Sequence, residues 1–163
     1  MVAGRQGLRP ALVALDGGPR PGGSVKRAAE LAPLSRDHHV ALEHALRLRR
    51  ASEEDAAAVV ASFLSFLVDH GRAHFAQEEE LLGPAVPDEN ADLARRMQAE
   101  HREILGRAET LGRCPDVSSA RELGELLSRH VRFEERELFP LLERRLSSAR
   151  LVELGRDLTR VRA

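Results

Sequence analysis

The chain has 163 residues, 31% of them charged, and a formal net charge of -1. That length suits one domain with a sizeable core, and the near-neutral balance lacks the field that recruits nucleic acid. Aromatic content is 3%, all of it Phe, which removes phenolate ligands and most stacking platforms for bases. The single cysteine, Cys114, excludes an internal disulfide and a thiolate cluster. No run reads as a membrane span or a signal peptide, so no membrane partner is expected and a reducing cytoplasm is the expected location.

Residues 1–32 are rich in Gly, Pro and Arg and carry no hydrophobic period. They are expected to form a flexible tail, leaving 33–163 as the folded domain. From Leu34 onward the period is helical throughout. A first helix is expected from about Pro33 to Arg50. Ser52 is placed as the N-cap of a second helix that runs to about Gly83. Its inward face reads Val60, Phe63, Leu67, His70, His74, Glu78 and Leu81. Pro84 and Pro87 then break the chain. A third helix follows from about Glu89 to Leu111. Ser119-x-x-Glu122 reads as a capping box opening a fourth helix, which ends near Leu146. Pro140 is expected to kink or tighten its last turns. Ser147 or Ser148 opens a short fifth helix with Leu151, Leu154, Leu158 and Val161 on one face. The expected fold is all-α: an antiparallel up-down-up-down four-helix bundle with a short C-terminal fifth helix. Gly71, Gly106 and Gly124 fall mid-helix, each costing roughly 1 kcal/mol relative to Ala, and close helix approach is one reason for such residues.

Metal-binding residue types recur in two matched sets. His74-x-x-x-Glu78-Glu79 aligns without a gap on His130-x-x-x-Glu134-Glu135 at an offset of 56 residues. The stripe Leu34, His38, Ala41, Leu42, Ala45, Leu48 aligns on Met97, His101, Ile104, Leu105, Ala108, Leu111 at an offset of 63. Side chains at i and i+4 are neighbours, with Cβ atoms about 5–6 Å apart, so each His-x-x-x-Glu pair aims at one region of the core. His38 and His101 each replace one apolar residue of an otherwise greasy stripe. Buried polar groups without partners cost on the order of 1–3 kcal/mol each, and carboxylates more. A cation accepting His38, His74, Glu78, His101, His130 and Glu134 removes that cost. Imidazole with carboxylate and no thiolate suits iron, manganese or zinc. Six donors exceed the needs of one tetrahedral zinc, so two metals or one crowded metal is implied. If both ions are octahedral and both carboxylates bridge them, four His fill four positions, the carboxylates four and a bridging oxygen two, leaving one open position on each ion.

Four pieces taken together resemble the hemerythrin-type HHE cation-binding family. They are Asp37-His38, His74-x-x-x-Glu78-Glu79, Glu100-His101 and His130-x-x-x-Glu134-Glu135, with Leu138-Phe139-Pro140 closing the last. The resemblance spans about Leu34 to Leu146. It implies a four-helix bundle around two non-haem iron ions with carboxylate and oxo or hydroxo bridges. It also implies dioxygen, nitric oxide or peroxide as the small ligand, in oxygen or redox sensing, stress response or iron-centre repair. Oxygen-carrying members place two His a turn apart on the third helix. Here the neighbours of His101 at that spacing are Met97 and Leu105. The four-His, two-Glu set is therefore more similar to the bacterial repair and sensing branch.

Several alternatives stay open at this level. His38 is preferred to His39 because the offset match selects it. His70, one turn before His74, is read as a partner or gate beside the site, or as a fifth ligand; His39 is a candidate partner of the ligands. Glu79 and Glu135 compete with Glu78 and Glu134, which helical geometry favours. His44 falls off the stripe and is read as solvated. A small-ligand binding protein is favoured over an enzyme. The competing functions are a ferritin-like di-iron oxidase and a metal-free helical interaction module. The oxidase usually shows Glu-x-x-His pairs that are missing here at the right places.

Overall fold

A computed structural model of the protein describes residues 27–160. Residues 1–26, most of the expected tail, lie outside the described residues, as does Val161. The described part is all-helical, with no strand among the described residues. Ordered packing begins ahead of residue 33: Leu31 is fully buried, and Arg27 pairs with Glu135 and Glu143.

Helix α1 spans Ala32–Arg49, with Pro33 in its first turn, where a missing N–H costs nothing. Its buried stripe is Leu34, His38, Ala41, Ala45 and Leu48. Helix α2 spans Ala56–Ala85. It opens after Asp55 rather than at Ser52. The Ser52 N–H and hydroxyl both donate to the Asp55 carboxylate, at 2.7 and 3.0 Å, so this serine does not cap with its own side chain. Helix α3 spans Ala91–Arg113. Helix α4 begins as Val117–Phe133, passes through Glu134–Leu138 and resumes as Phe139–Arg145. Its cap is Asp116, which accepts the Ser119 N–H at 2.9 Å; the expected capping box at Ser119 does not form. An aspartate at this place satisfies an orphan donor and complements the helix dipole. Helix α5 spans Ser148–Arg160, with the Ser147 hydroxyl accepting the Arg150 N–H at 3.3 Å.

Helix α2 is not uniform. Wider π turns occupy Leu67–Gly71 and Glu78–Leu82. In α4 a π turn occupies Glu134–Leu138, with Phe139 between it and Pro140. The i→i+5 pattern advances a buried stripe by one residue. Gly71 and Leu82 are therefore buried where His70 and Leu81 were expected; His70 is exposed and Leu81 only half-buried. Pro140 sits in the first turn of the resumed helix, which accommodates its missing N–H.

Helix α1 lies mainly along α4, α3 also packs on α4, and α2 contacts both α1 and α3. Helix α4 comes close to α1 at Gly124. A Cβ there would meet the backbone O of Ala45 at 2.7 Å and the backbone N of Arg49 at 2.8 Å. Close helix packing therefore accounts for Gly124. It does not account for Gly106, around which nothing lies within 4 Å.

Two apolar clusters form the core. One gathers Phe63, Ile104, Leu123 and Leu127 with their neighbours; the other gathers Leu34, Leu82, Met97, Leu138 and Phe139. Helices α1 and α3 enter from the second cluster and leave through the first, and α2 and α4 do the reverse. Each helix crosses between the clusters where its His or Glu stands. The second helix also meets the length and hydropathy of a membrane span, contrary to the sequence reading, with a mean hydropathy of 1.2. Exposed Ala57, Ala58, Ala61 and Val68 raise its apolarity, while Phe63, His74 and Glu78 of the same helix are buried in the bundle.

Candidate metal centre

His38, His74, Glu78, His101, His130 and Glu134 converge between the two clusters. Glu78, Glu134 and His101 are 0% exposed, and His74 is the most open of the six at 9%. Both carboxylates stand at the first residue of a π turn, at Glu78 and at Glu134. The matched turns follow the 56-residue repeat. They let the glutamates face the site while the next apolar side chains stay in the core.

The contacts are reciprocal. Glu78 Oε1 lies 3.1 Å from His74 Nε2 and 3.5 Å from His38 Nε2, and Oε2 lies 3.4 Å from His101 Nε2. Glu134 Oε2 lies 3.1 Å from His38 Nε2 and 3.3 Å from His130 Nε2, and Oε1 lies 3.7 Å from His101 Nε2. Two groups of donor atoms fall within 4.8 Å of one another: Glu78 with His101, His130 and Glu134, and Glu78 with His38 and His74. Glu78 belongs to both.

The outer nitrogens are all engaged. His38 Nδ1 donates to Glu135 at 2.8 Å and His101 Nδ1 to Glu79 at 2.9 Å. His74 Nδ1 donates to Asp37 at 3.1 Å and His130 Nδ1 to Glu100 at 3.0 Å. An ionised carboxylate only accepts, so each Nδ1 donates outward and each Nε2 points inward. These four acids follow the same two offsets as the six clustered side chains. Asp37 aligns on Glu100 and Glu79 on Glu135, so the repeat held the signal; Glu79 and Glu135, weighed as rivals of Glu78 and Glu134, stand behind His101 and His38 instead. Phe139 stacks on His38 with centroids 5.4 Å apart, and Phe75 on His101 at 4.1 Å.

Charge follows from this packing. Burial opposes a proton on His74, but Glu78 and Asp37 outweigh it and hold the ring up at about 9. Burial likewise opposes charge on His101, and Glu134 and Glu78 hold it up at about 10. Glu78 is held well below the ordinary carboxylate range: its burial is overcome by His74, His101 and His38. Glu135 is half-buried, yet His38 and Arg27 bring it down to about 2.

The centre also has an approach from outside. A cavity of about 500 Å³ reaches His38, His74 and His130 past Val40, Ala41 and Phe66, with His70 on its rim. His70 is exposed and makes a tilted ring contact with Phe66 at 6.3 Å, away from the donor cluster. His39 is exposed and donates from Nδ1 to the Ser35 carbonyl at 2.7 Å. His44 is half-buried and stacked on Phe66 at 4.5 Å rather than solvated. Burial and Arg47 hold its pKa down. Met97 is fully buried in the apolar cluster that contains Phe139 and brings no donor to the site.

The donor set fits a cation. Seven of its inward atoms are buried without a hydrogen bond: His38, His101 and His130 Nε2, and both oxygens of Glu78 and Glu134. So many buried polar atoms without a hydrogen bond around one point would cost several kcal/mol if nothing were held there. Residues 31–142 match the hemerythrin HHE cation binding domain. The chain belongs to this family. Comparison with curated proteins and with solved structures returned no match. Hemerythrin HHE domains bind cations, and the His and Glu cluster is the place in this one that could hold a metal.

Proposed function

We propose that the protein is a non-haem di-iron binding protein that takes a small ligand, either dioxygen, nitric oxide or peroxide. In this reading the helices form an up-down-up-down bundle, as the alternating order of the two clusters along the chain supports. His38, His74, His101, His130, Glu78 and Glu134 would hold the iron, with Glu78 the residue common to both donor groups.

The observation that carries the proposal is the set of seven buried atoms with no hydrogen bond, backed by four imidazoles whose outer nitrogens are already taken. A structural staple needs four donors, whereas this cluster offers six. When bound, iron would supply one-electron chemistry and affinity for small ligands. The chain contributes the rest. Asp37, Glu79, Glu100 and Glu135 hold the rings in one tautomer and orientation. Phe75 and Phe139 cover ring faces against water. The cavity past Val40 and Phe66 admits a small molecule to the His38 and His74 side.

Metal analysis with an optical spectrum of aerobically purified protein tests this directly. About two iron per chain and near-ultraviolet absorption of a bridged diferric centre are expected. Stopped-flow mixing of the reduced protein with dioxygen and with nitric oxide should then change the spectrum. A response to neither gas would mean that the site is structural.

A further inference from the structure

Arg27 stands ahead of the family-matched stretch, yet it reaches the edge of the metal centre. One guanidinium nitrogen donates to both the backbone O and the Oε2 of Glu135, each at 2.7 Å. Another lies 3.1 Å from Glu143, and the neighbouring Ala28 N–H donates to that same carboxylate at 2.8 Å. The guanidinium also lies over the Phe139 ring, 5.1 Å from its centroid. Two of these partners, Glu135 and Phe139, lead to one imidazole. Glu135 accepts from His38 Nδ1 at 2.8 Å, and Phe139 is stacked on the His38 ring at an interplanar angle of 11°.

The matching position in the repeat lacks this support. Glu79 holds His101 as Glu135 holds His38, but among the described residues no arginine pairs with Glu79. A carboxylate that shares its charge with an arginine is a weaker acceptor from the imidazole behind it. It is also fixed in place, because two donor contacts and a ring face restrain the guanidinium. His38 is thus held rigidly by a partly neutralised acid, and His101 by an acid that keeps its full charge.

We propose that Arg27 is a positioning residue for the metal centre, acting through Glu135 and Phe139 on His38 and making the two metal positions unequal. The proposal rests on the metal-binding reading above. It ties the segment before the bundle to the properties of the centre, although Arg27 touches no donor atom of the site.

Cobalt(II) titration of the metal-free protein, followed by its visible spectrum, tests the idea without any assay of activity. The variants are R27M, which keeps an apolar stem over Phe139, R27K, which keeps the charge, and E135Q alone and with R27M. Removing a partner behind a ligand commonly weakens metal binding by about 10–100-fold. One step further out, R27M should weaken one of the two cobalt steps by about tenfold and shift the bands of that ion. R27K should recover part of the loss, and R27M should add little in the E135Q background. Two wild-type cobalt steps with wild-type bands in R27M would overturn the proposal. So would equal weakening of both steps alongside a lower melting temperature of the metal-free protein, since that is a folding effect. If the wild-type chain takes up no cobalt, the metal-binding reading itself falls, and this inference with it.

Discussion

Asp37 accepts a hydrogen bond from His74 Nδ1 at 3.1 Å, so the residue just before one imidazole of the cluster steadies the ring of another. Glu100, just before His101, does the same for His130 at 3.0 Å. The pairing crosses between neighbouring helices, from α1 to α2 and from α3 to α4. Substituting D37N keeps the shape and removes the charge. It should weaken metal binding by about 10–100-fold without emptying the site. Competition with a chelator of known affinity measures it, and unchanged affinity in both D37N and E100Q would show that these acids are incidental.

Direct donors should behave differently. His74→Ala and His130→Ala each remove an inward Nε2 and should lose most of the bound metal. His44→Ala should keep it. His44 packs on Phe66 outside the cluster, so its removal should lower the melting temperature by a few degrees at most. Elemental analysis of the three variants, purified alike, separates these outcomes. Full metal retention in His130→Ala would refute the ligand assignment.

Protons and metal compete for the same rings. His74 and His101 have pKa values of about 9 and about 10 in the metal-free protein, against an ordinary 6.5. Raised values stabilise the metal-free fold fully below about pH 6.5, and that contribution is lost as pH climbs through 9 and 10. The metal-free protein should therefore melt lower at pH 10 than at pH 7. Metal binding runs the other way, because a ligating imidazole must give up its inward proton. Uptake at pH 7 should release protons, and affinity should rise between pH 7 and 9. Calorimetry in two buffers of different ionisation enthalpy reads the proton count, and a count of zero would contradict the assigned protonation.

Two of the mid-helix glycines, Gly124 and Gly106, should answer oppositely to alanine. At Gly124 a Cβ would press on backbone atoms of Ala45 and Arg49, which cannot swing aside. Gly124→Ala should cost about 1–3 kcal/mol by forcing α1 and α4 apart. At Gly106 a Cβ meets open space, so Gly106→Ala should stabilise by about 0.5–1 kcal/mol through the lost entropy of the unfolded chain. Denaturant unfolding of both metal-free variants checks the sign.

Much of this protein was legible in the chain alone. The two offsets named the six clustered side chains, because a helix places i and i+4 on one face whatever surrounds it. The same periodicity gave the helical class and most element boundaries to within a few residues. What it could not supply depends on neighbours distant in sequence. The π turns at Leu67–Gly71, Glu78–Leu82 and Glu134–Leu138 belong to the packed helices, and at the first two of them regular spacing mispredicts His70 and Leu81. Asp37 and Glu100 carried no role of their own, and Glu79 and Glu135 read as rivals of Glu78 and Glu134, until the helices are packed and each is found behind an imidazole of another helix. Gly124 acquires its reason only from the backbone of α1, and Arg27 only from Glu135, 108 residues away. Local spacing fixed which side chains could share a face; packing between helices decided which partner each one met.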